Sequence, residues 1–199
     1  MATPVGHYLL GLTLAELAAR DDTERRQAPW WALVACAPDL DALPGAVVGN
    51  LALFHHGASH SLAAAAIVAV ATMGFVKHAR GGVSPWTPVV VFVLYASHSV
   101  LDSVTLDPGW PSGVPFLWPW SHETFQAPWV LLPNVQHTRA PVISVHNALL
   151  MVREVLILAP LAGLVLTRRP SVRRRWRTAT WLCAVWFLVA AGLSIASLG

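Results

Sequence analysis

Six apolar runs, separated by short polar segments, dominate this chain of 199 residues. A helix that crosses a bilayer needs about 20 apolar residues. The last three runs are long enough, whereas the first three are short, and the second is interrupted around Pro38, Pro44 and Gly45. We therefore expect an all-α fold, an integral membrane bundle of about six apolar segments with the first three short or interrupted. The runs lie at about 4–19, 30–48, 61–76, 87–106, 141–166 and 178–198.

Composition supports a membrane protein and argues against a nucleic-acid-binding one. The chain is 55% hydrophobic and 12% charged, about half the charged share of a soluble domain. Its net charge of +3 comes from basic residues in short runs beside apolar segments, a membrane-protein pattern. The two cysteines, Cys36 and Cys183, lie in apolar runs without a C-x-x-C pair, so neither a thiolate zinc site nor a disulfide framework is expected. The length suits one domain, 1–199, ending in a membrane helix at 178–198.

The basic residues predict the orientation. If each run crosses once, the segments 20–29, 77–86 and 167–177 share one side of the membrane. They hold three, two and six of the 13 Lys and Arg residues, which makes that side cytoplasmic. We therefore expect a multi-pass protein with both termini and the segment 107–140 facing outward.

Ionisable side chains gather at the outward ends of these runs. Such groups inside a membrane persist mainly where they pair, bind a cation or line a wet cavity. Because they fall in one leaflet under an orientation deduced from other residues, we expect a single site. The outward-lying residues of this kind are His7, Asp39, Asp41, His55, His56, His60, His98, Asp102 and Glu154.

The individual motifs suit metal binding, although each has a simpler interpretation. His98 and Asp102 are four residues apart and share one helix face, where they bind one cation or form a hydrogen bond between helices. Asp39 and Asp41 repel each other unless a cation or a proton intervenes, and a solvated turn is the alternative. For Glu154, the alternatives are an ion pair with the adjacent arginine and a role as an additional carboxylate ligand.

The stretch His55-His56-Gly57-Ala58-Ser59-His60 offers three imidazoles around a glycine. Imidazole suits zinc, copper, iron and nickel, whereas carboxylate oxygen also suits magnesium, calcium and manganese. We expect two of the three histidines at most to bind metal, and the third to orient a ligand or to contact substrate.

In this order, the motifs resemble those of the YdjM-like inner-membrane proteins, described as membrane-bound metal-dependent hydrolases. The resemblance covers about residues 1–155, the part that would carry the site. It rests on Gly6-His7, Pro38-Asp39-Leu40-Asp41, the stretch 55–61, Ser97-His98-x-x-x-Asp102-x-x-Thr105 and Gly113-Val114-Pro115-Phe116-Leu117-Trp118-Pro119.

That family is distantly similar to zinc-dependent phospholipase C, whose zinc ions are held by His and Asp from several helices. The resemblance implies His7, Asp39, His60, His98 and Asp102 as ligands. His55 matches the first histidine of the family's His-Arg-Gly-x-Thr-His block. His56 and Ser59 replace its arginine and threonine, and Ala42 stands where a histidine often follows, which points to fewer metals or a different substrate.

The sequence therefore predicts a metal-dependent hydrolase of the bacterial inner membrane, with its site facing outward. A divalent metal, zinc by preference, would activate a water molecule against a phosphoester or phospholipid-type substrate. Asp41 or His55 would serve as general base, His56 and Ser59 would contact substrate, and Glu154 would be a further ligand. The alternatives are a metal-ion or proton transporter, and a non-catalytic membrane protein with a structural metal.

Overall fold

The fold is that of a computed structural model, which describes residues 1–49, 55–81, 84–108, 112–134 and 144–198. The predicted all-α class is confirmed. In the described ranges, extended pairing is limited to two isolated bridges, Thr105 with Leu132 and Val114 with Phe125. The helices are α1 (Pro4–Ala18), α2 (Asp22–Trp31), a 3-10 helix (Ala32–Asp41), α3 (Ala42–Val47), a 3-10 turn (Ala58–His60), α4 (Leu62–Arg80), α5 (Thr87–Ser103), α6 (Val145–Leu166) and α7 (Pro170–Leu198).

Within the described residues, two helices are long and apolar enough to cross a membrane, α4 over Leu62–Ala79 and α6 over Val145–Leu166. The Ser61 side chain caps the start of α4 by accepting a hydrogen bond from the Ala64 amide. The helix continues past the apolar run through Lys77 to Arg80. Gly81 follows as its C-terminal cap, and its φ of 70° is the left-handed conformation that such a cap requires.

The fourth run forms a shorter helix than its apolar length suggests. α5 has 17 residues and ends at Ser103, although the run continues to residue 106. Beyond this point the Thr105 hydroxyl donates to the Leu101 carbonyl, and Thr105 pairs with Leu132 instead of extending the helix. The last helix differs in the other direction, since α7 begins at Pro170 rather than near residue 178.

α1 is the central helix and packs against α5, α6 and the 3-10 helix Ala32–Asp41. A methyl group at Gly11 would lie 2.7 Å from both the Ala32 carbonyl oxygen and the Ala35 Cβ, so only glycine permits this approach. Small residues at helix contacts allow such close packing in membrane proteins.

Buried carboxylates hold the two ends of α1. At its N-terminal end, Glu154 of α6 accepts hydrogen bonds from the Thr3 amide, at 2.8 Å, and from the Thr3 hydroxyl. At the other end, Arg169 forms an ion pair with Glu16 and donates to the Arg25 carbonyl at 2.8 Å. α1 is therefore fixed to segments more than 140 residues away in the chain.

Candidate metal centre

The predicted ligand residues meet where four segments of the chain converge. His7 comes from the first turns of α1, Asp39 from the end of the 3-10 helix, His60 from the 3-10 turn, and His98 and Asp102 from the last turns of α5. The side chains of His7, His60, His98 and Asp102 are fully buried. Residues up to 95 positions apart in sequence thus share one interior site.

His98 lies at the middle of this group. Its Nε2 is 3.1 Å from Asp102 Oδ2, 3.3 Å from Asp39 Oδ1 and 3.1 Å from His60 Nε2. Its Nδ1 lies 2.7 Å from the Ala35 carbonyl oxygen, which can only accept. This hydrogen bond fixes the proton on Nδ1 and leaves Nε2 able to bind a metal. The predicted sharing of one helix face by His98 and Asp102 is confirmed.

Asp102 is also in contact with the first residues of the chain. Its Oδ1 accepts a hydrogen bond from the Ala2 amide at 2.9 Å and lies 3.4 Å from His7 Nε2. The His7 ring stacks on the ring of His98, with centroids 3.6 Å apart. The start of α1 therefore completes one side of the site.

Asp41 lies behind two of the imidazoles. Its Oδ1 is 2.7 Å from His55 Nδ1, and its Oδ2 accepts from the Ser59 hydroxyl at 2.5 Å and lies 3.3 Å from His60 Nδ1. Burial alone would raise the pKa of the Asp41 carboxyl, but these hydrogen bonds outweigh it and hold the pKa below its usual value. An ionised carboxylate in this position orients both rings.

His60 is neutral at physiological pH. Burial lowers the pKa of His60 to about 4, more strongly than the hydrogen bond to Asp41 raises it. Only a neutral imidazole can donate its lone pair to a metal. His60 is therefore in the state that metal binding requires.

His56 adopts a left-handed backbone conformation, with φ of 61°, which is uncommon for residues other than glycine. Its Nε2 lies 3.8 Å from Asp102 Oδ2, and its Nδ1 lies 3.6 Å from Asp107 Oδ2. The Gly113 amide donates to the same Asp107 oxygen at 2.9 Å. Sequence reasoning missed Asp107. Its one signal was a carboxylate shortly after the end of the fourth run.

The arrangement fits a divalent metal. In tetrahedral zinc sites the bonds of about 2.0–2.2 Å place ligand atoms about 3.3–3.6 Å apart, and the central N–O distances here range from 3.1 to 3.8 Å. In the part of the chain that the structure describes, three sets of side chains have ligand atoms within 4.8 Å of one another. They are His7, Asp39 and His98; His60, His98 and Asp102; and His55, His56 and His60.

Several buried polar atoms at the site lack a hydrogen-bond partner among the described residues. They include both oxygens of Asp39, both ring nitrogens of His7 and Asp102 Oδ2. Buried polar groups are nearly always hydrogen-bonded, and leaving a charged one unmatched costs several kcal/mol. A cation bound here would satisfy this requirement.

Glu154 lies outside these three sets, and its carboxylate is bonded to Thr3. Its predicted role as a ligand therefore stays a prediction. The same holds for Asp41 and His55 as catalytic groups and for His56 and Ser59 as substrate contacts, although all four lie at the site.

A family model described as YdjM inner membrane protein matches residues 1–198. The inner membrane protein YbcI of Escherichia coli (strain K12) is 37% identical to the chain over 105 residues, which are 50% of this chain and 57% of that relative. The chain thus matches little more than half of the relative's length. No solved structure matches the chain.

Proposed function

Because this chain belongs to the YdjM inner membrane protein family, we propose that it is a multi-pass, metal-dependent hydrolase whose site faces away from the cytoplasm. The observation that carries this proposal is the convergence of buried His and Asp side chains, several of whose ligand atoms lack a hydrogen-bond partner among the described residues. The acid–base pair of Asp41 and His55 beside these ligands further supports a catalytic role.

The proposed ligands are His7, Asp39, His60, His98 and Asp102. Their mixture of imidazole and carboxylate suits zinc best among the common divalent metals. When bound, such an ion lowers the pKa of a water molecule towards neutrality and polarises the bond to be broken.

His55 and Asp41 form the proposed general base. With Nδ1–H of His55 donating to Asp41, the His55 Nε2 can accept a proton, and it lies 3.8 Å from Asp39 Oδ1, at the edge of the ligand group. The ionised Asp41 stabilises the positive charge that His55 gains on accepting the proton. Asp41 thus acts through His55 rather than on the substrate directly.

The surroundings of the site suit a phosphoester with an apolar part, such as a phospholipid. The proposed substrate contacts lie next to the ligands, with His56 Nε2 3.8 Å from Asp102 Oδ2 and the Ser59 hydroxyl donating to Asp41. Leu40, Leu43 and Val47 flank the carboxylates and are 61%, 59% and 88% exposed. A polar centre with an apolar rim at the membrane surface can hold a headgroup while the chains stay in the bilayer.

The end of α1 away from the site gives less support to the alternative function, ion transport. A path for ions needs polar groups through both leaflets. Glu16 is the acid nearest the cytoplasmic side of α1, and its carboxylate is neutralised by Arg169. The polar groups of the site therefore do not continue as free carboxylates along α1.

The test is metal analysis of detergent-purified protein, followed by a screen of phosphoester substrates with and without chelator. We expect stoichiometric transition metal, and hydrolysis that a chelator abolishes and added zinc restores. His98→Gln should lose both, whereas the exposed His122→Gln should keep both. Protein without metal, or hydrolysis that persists in His98→Gln, would refute the proposal. Metal flux in proteoliposomes without hydrolysis would favour transport.

A further inference from the structure

We infer that the end of the molecule away from the candidate metal centre binds a phospholipid whose headgroup is zwitterionic and carries a primary amine, as in phosphatidylethanolamine. The headgroup would lie at Arg20 and Glu24, and one acyl chain would lie in a groove between α1 and α5. This site does not rest on the proposed hydrolase function. Ala18, which lines the groove, lies about 16 Å along α1 from His7.

Two adjoining cavities among the described residues form the groove. The first has a volume of about 220 Å³ and lies between α1, α2, α5 and the end of α4. The second, also of about 220 Å³, continues along α1 and α5. The residues that line both are Ala18, Arg20, Trp86 and Val90. The two cavities therefore form one groove, with Arg20 where they meet.

The second cavity is apolar beyond its mouth. Apart from Arg20 and Trp86, its lining is aliphatic and consists of Leu14, Ala18, Val89, Val90, Val93 and Leu94. Leu94 is buried, whereas Val89 and Val93 are 47% and 44% exposed, so one side of the groove is open. The stretch of α5 from Trp86 to Leu94 is about 12 Å long, and the hydrocarbon of one leaflet, half of the bilayer core, is about 15 Å thick. The groove therefore suits one acyl chain in both length and chemistry.

Small side chains on α1 leave the groove open. Ala15, Ala18 and Ala19 line the first cavity. Ala15 and Ala18 are three residues apart and therefore share one face of the helix. A larger aliphatic side chain at Ala18, which lines both cavities, would take the place of the acyl chain.

The mouth of the groove presents a base and an acid side by side. Arg20 Nη2 donates to Glu24 Oε1 and to the Ser84 hydroxyl, both at 2.8 Å. Arg20 Nη1 has no hydrogen bond to any residue that the structure describes, and the Arg20 side chain is 51% exposed. A guanidinium with free N–H groups suits a phosphate. The adjacent Glu24 carboxylate can accept hydrogen bonds from an ammonium group.

The charge of this region favours a zwitterionic headgroup over an anionic one. Three basic and three acidic residues between positions 20 and 27 balance each other, namely Arg20, Arg25, Arg26, Asp21, Asp22 and Glu24. Anionic lipids are attracted by clusters of unbalanced basic residues, whereas a zwitterion can satisfy both charges of the Arg20–Glu24 pair. Trp31 and Trp86 also line the first cavity, as aromatic side chains do at a membrane–water interface.

The first experiment measures lipid retained by the detergent-purified full chain, by native mass spectrometry, with phosphatidylethanolamine or phosphatidylglycerol of identical acyl chains. We expect one phosphatidylethanolamine per chain, in preference to phosphatidylglycerol. Arg20→Gln should weaken its binding by about tenfold, the cost of losing a hydrogen bond to a charged group. The control is Arg25→Gln, because Arg25 pairs with Asp22 and lines neither cavity.

Three results would overturn the inference. They are equal or stronger binding of phosphatidylglycerol by the wild type, wild-type binding by Arg20→Gln, and the same loss in Arg25→Gln as in Arg20→Gln. Glu24→Gln tests the amine separately. This change should reduce the preference for phosphatidylethanolamine over phosphatidylglycerol, and an unchanged preference would also overturn the inference.

The second experiment tests the groove. Ala18→Leu should lower the retention of phosphatidylethanolamine, whereas Ala66→Leu, at an exposed position of α4, should not. Circular dichroism and thermal unfolding check that both variants fold. Wild-type retention by a folded Ala18→Leu would overturn the inference.

A photoactivatable group on the acyl chain gives a measurement that needs no variant. We expect the labelled phosphatidylethanolamine to crosslink the wild type at Leu14, Val89 or Val93, and excess unlabelled lipid to remove these crosslinks. Crosslinks confined to α6 and α7, or crosslinks that unlabelled lipid does not reduce, would overturn the inference. Since the readout is lipid binding, these results are independent of metal content and hydrolysis.

Discussion

The imidazole of His7 on α1 stacks on the imidazole of His98 on α5, with ring centroids 3.6 Å apart and planes 13° from parallel. The two rings, carried by separate helices, therefore position each other by direct contact, and the fit between these helices determines the geometry of the candidate centre.

This dependence predicts the effect of Gly11→Ala. The added methyl would lie 2.7 Å from the Ala32 carbonyl oxygen and from the Ala35 Cβ, so α1 must move away from the 3-10 helix that carries Asp39. We expect a loss of about 1–3 kcal/mol in stability and weaker metal binding, measured by thermal unfolding in detergent and by metal titration. Gly74→Ala in α4 is the matched control, because no atom lies within 4 Å of its added methyl. Equal effects of the two changes would contradict this account.

Asp102→Asn tests the ligand set itself. Asparagine keeps the size of the side chain but removes the charge and one of the oxygens that face His7, His60 and His98. We expect metal affinity to fall by more than the about 10–100-fold typical of an outer-shell change, as measured by chelator competition. Glu123→Gln, at an exposed position, should leave the affinity unchanged. Retention of wild-type affinity by Asp102→Asn would remove Asp102 from the ligands.

Glu154→Gln tests whether Glu154 is a metal ligand or a residue that positions α1. The Glu154 carboxylate accepts from the Thr3 amide and hydroxyl at the start of α1, where a negative charge also stabilises the helix. We expect the metal-free protein to lose about 1–3 kcal/mol in stability, with a smaller decrease in metal affinity through His7. If Glu154 is instead a ligand, the metal-free protein will keep its stability and metal will be lost as in Asp102→Asn.

Cys36 provides a pH-dependent probe of the site. Burial, together with the nearby charge of Asp39, raises the pKa of the Cys36 thiol to about 11. Only the thiolate reacts with alkylating reagents, so labelling of Cys36 in a Cys183→Ser background should be slow at pH 7 and rise about tenfold per pH unit up to about pH 10.

A metal ion at Asp39 offsets the charge that raises this pKa. Loading with zinc should therefore speed the labelling of Cys36 at pH 8, measured by mass spectrometry. Unfolded protein in detergent serves as the control for an ordinary thiol. A labelling rate that levels off near pH 9 in the metal-free protein would contradict the raised pKa.

Much of the site could be predicted because its residues follow regular spacings. His98 and Asp102 share a face by helix periodicity, and the expectation that His7, Asp39 and His60 lie near one another follows from apolar runs and basic segments. The all-helical class follows from the same runs. These inferences depend on local patterns, which a single sequence contains.

The remainder depends on contacts between distant segments. Glu154 was expected among the ligands, but the carboxylate meets Thr3, 151 residues away, and no spacing rule connects the two. Asp107 faces His56 because the backbone of His56 adopts a left-handed conformation, which the sequence HHG does not reveal. The close approach at Gly11 likewise required knowledge of its neighbour on the 3-10 helix.

The attachment of α1 at both ends has a consequence for access to the centre. Moving α1 would break the Glu154–Thr3 hydrogen bonds or the Glu16–Arg169 ion pair, and the buried carboxylates of Glu154 and Glu16 would lose these partners away from water. Under the proposed function we therefore expect substrate to approach beside α3, which ends in the exposed Val47. Sequence changes in α3 should then alter the choice of substrate while leaving the proposed metal ligands in place.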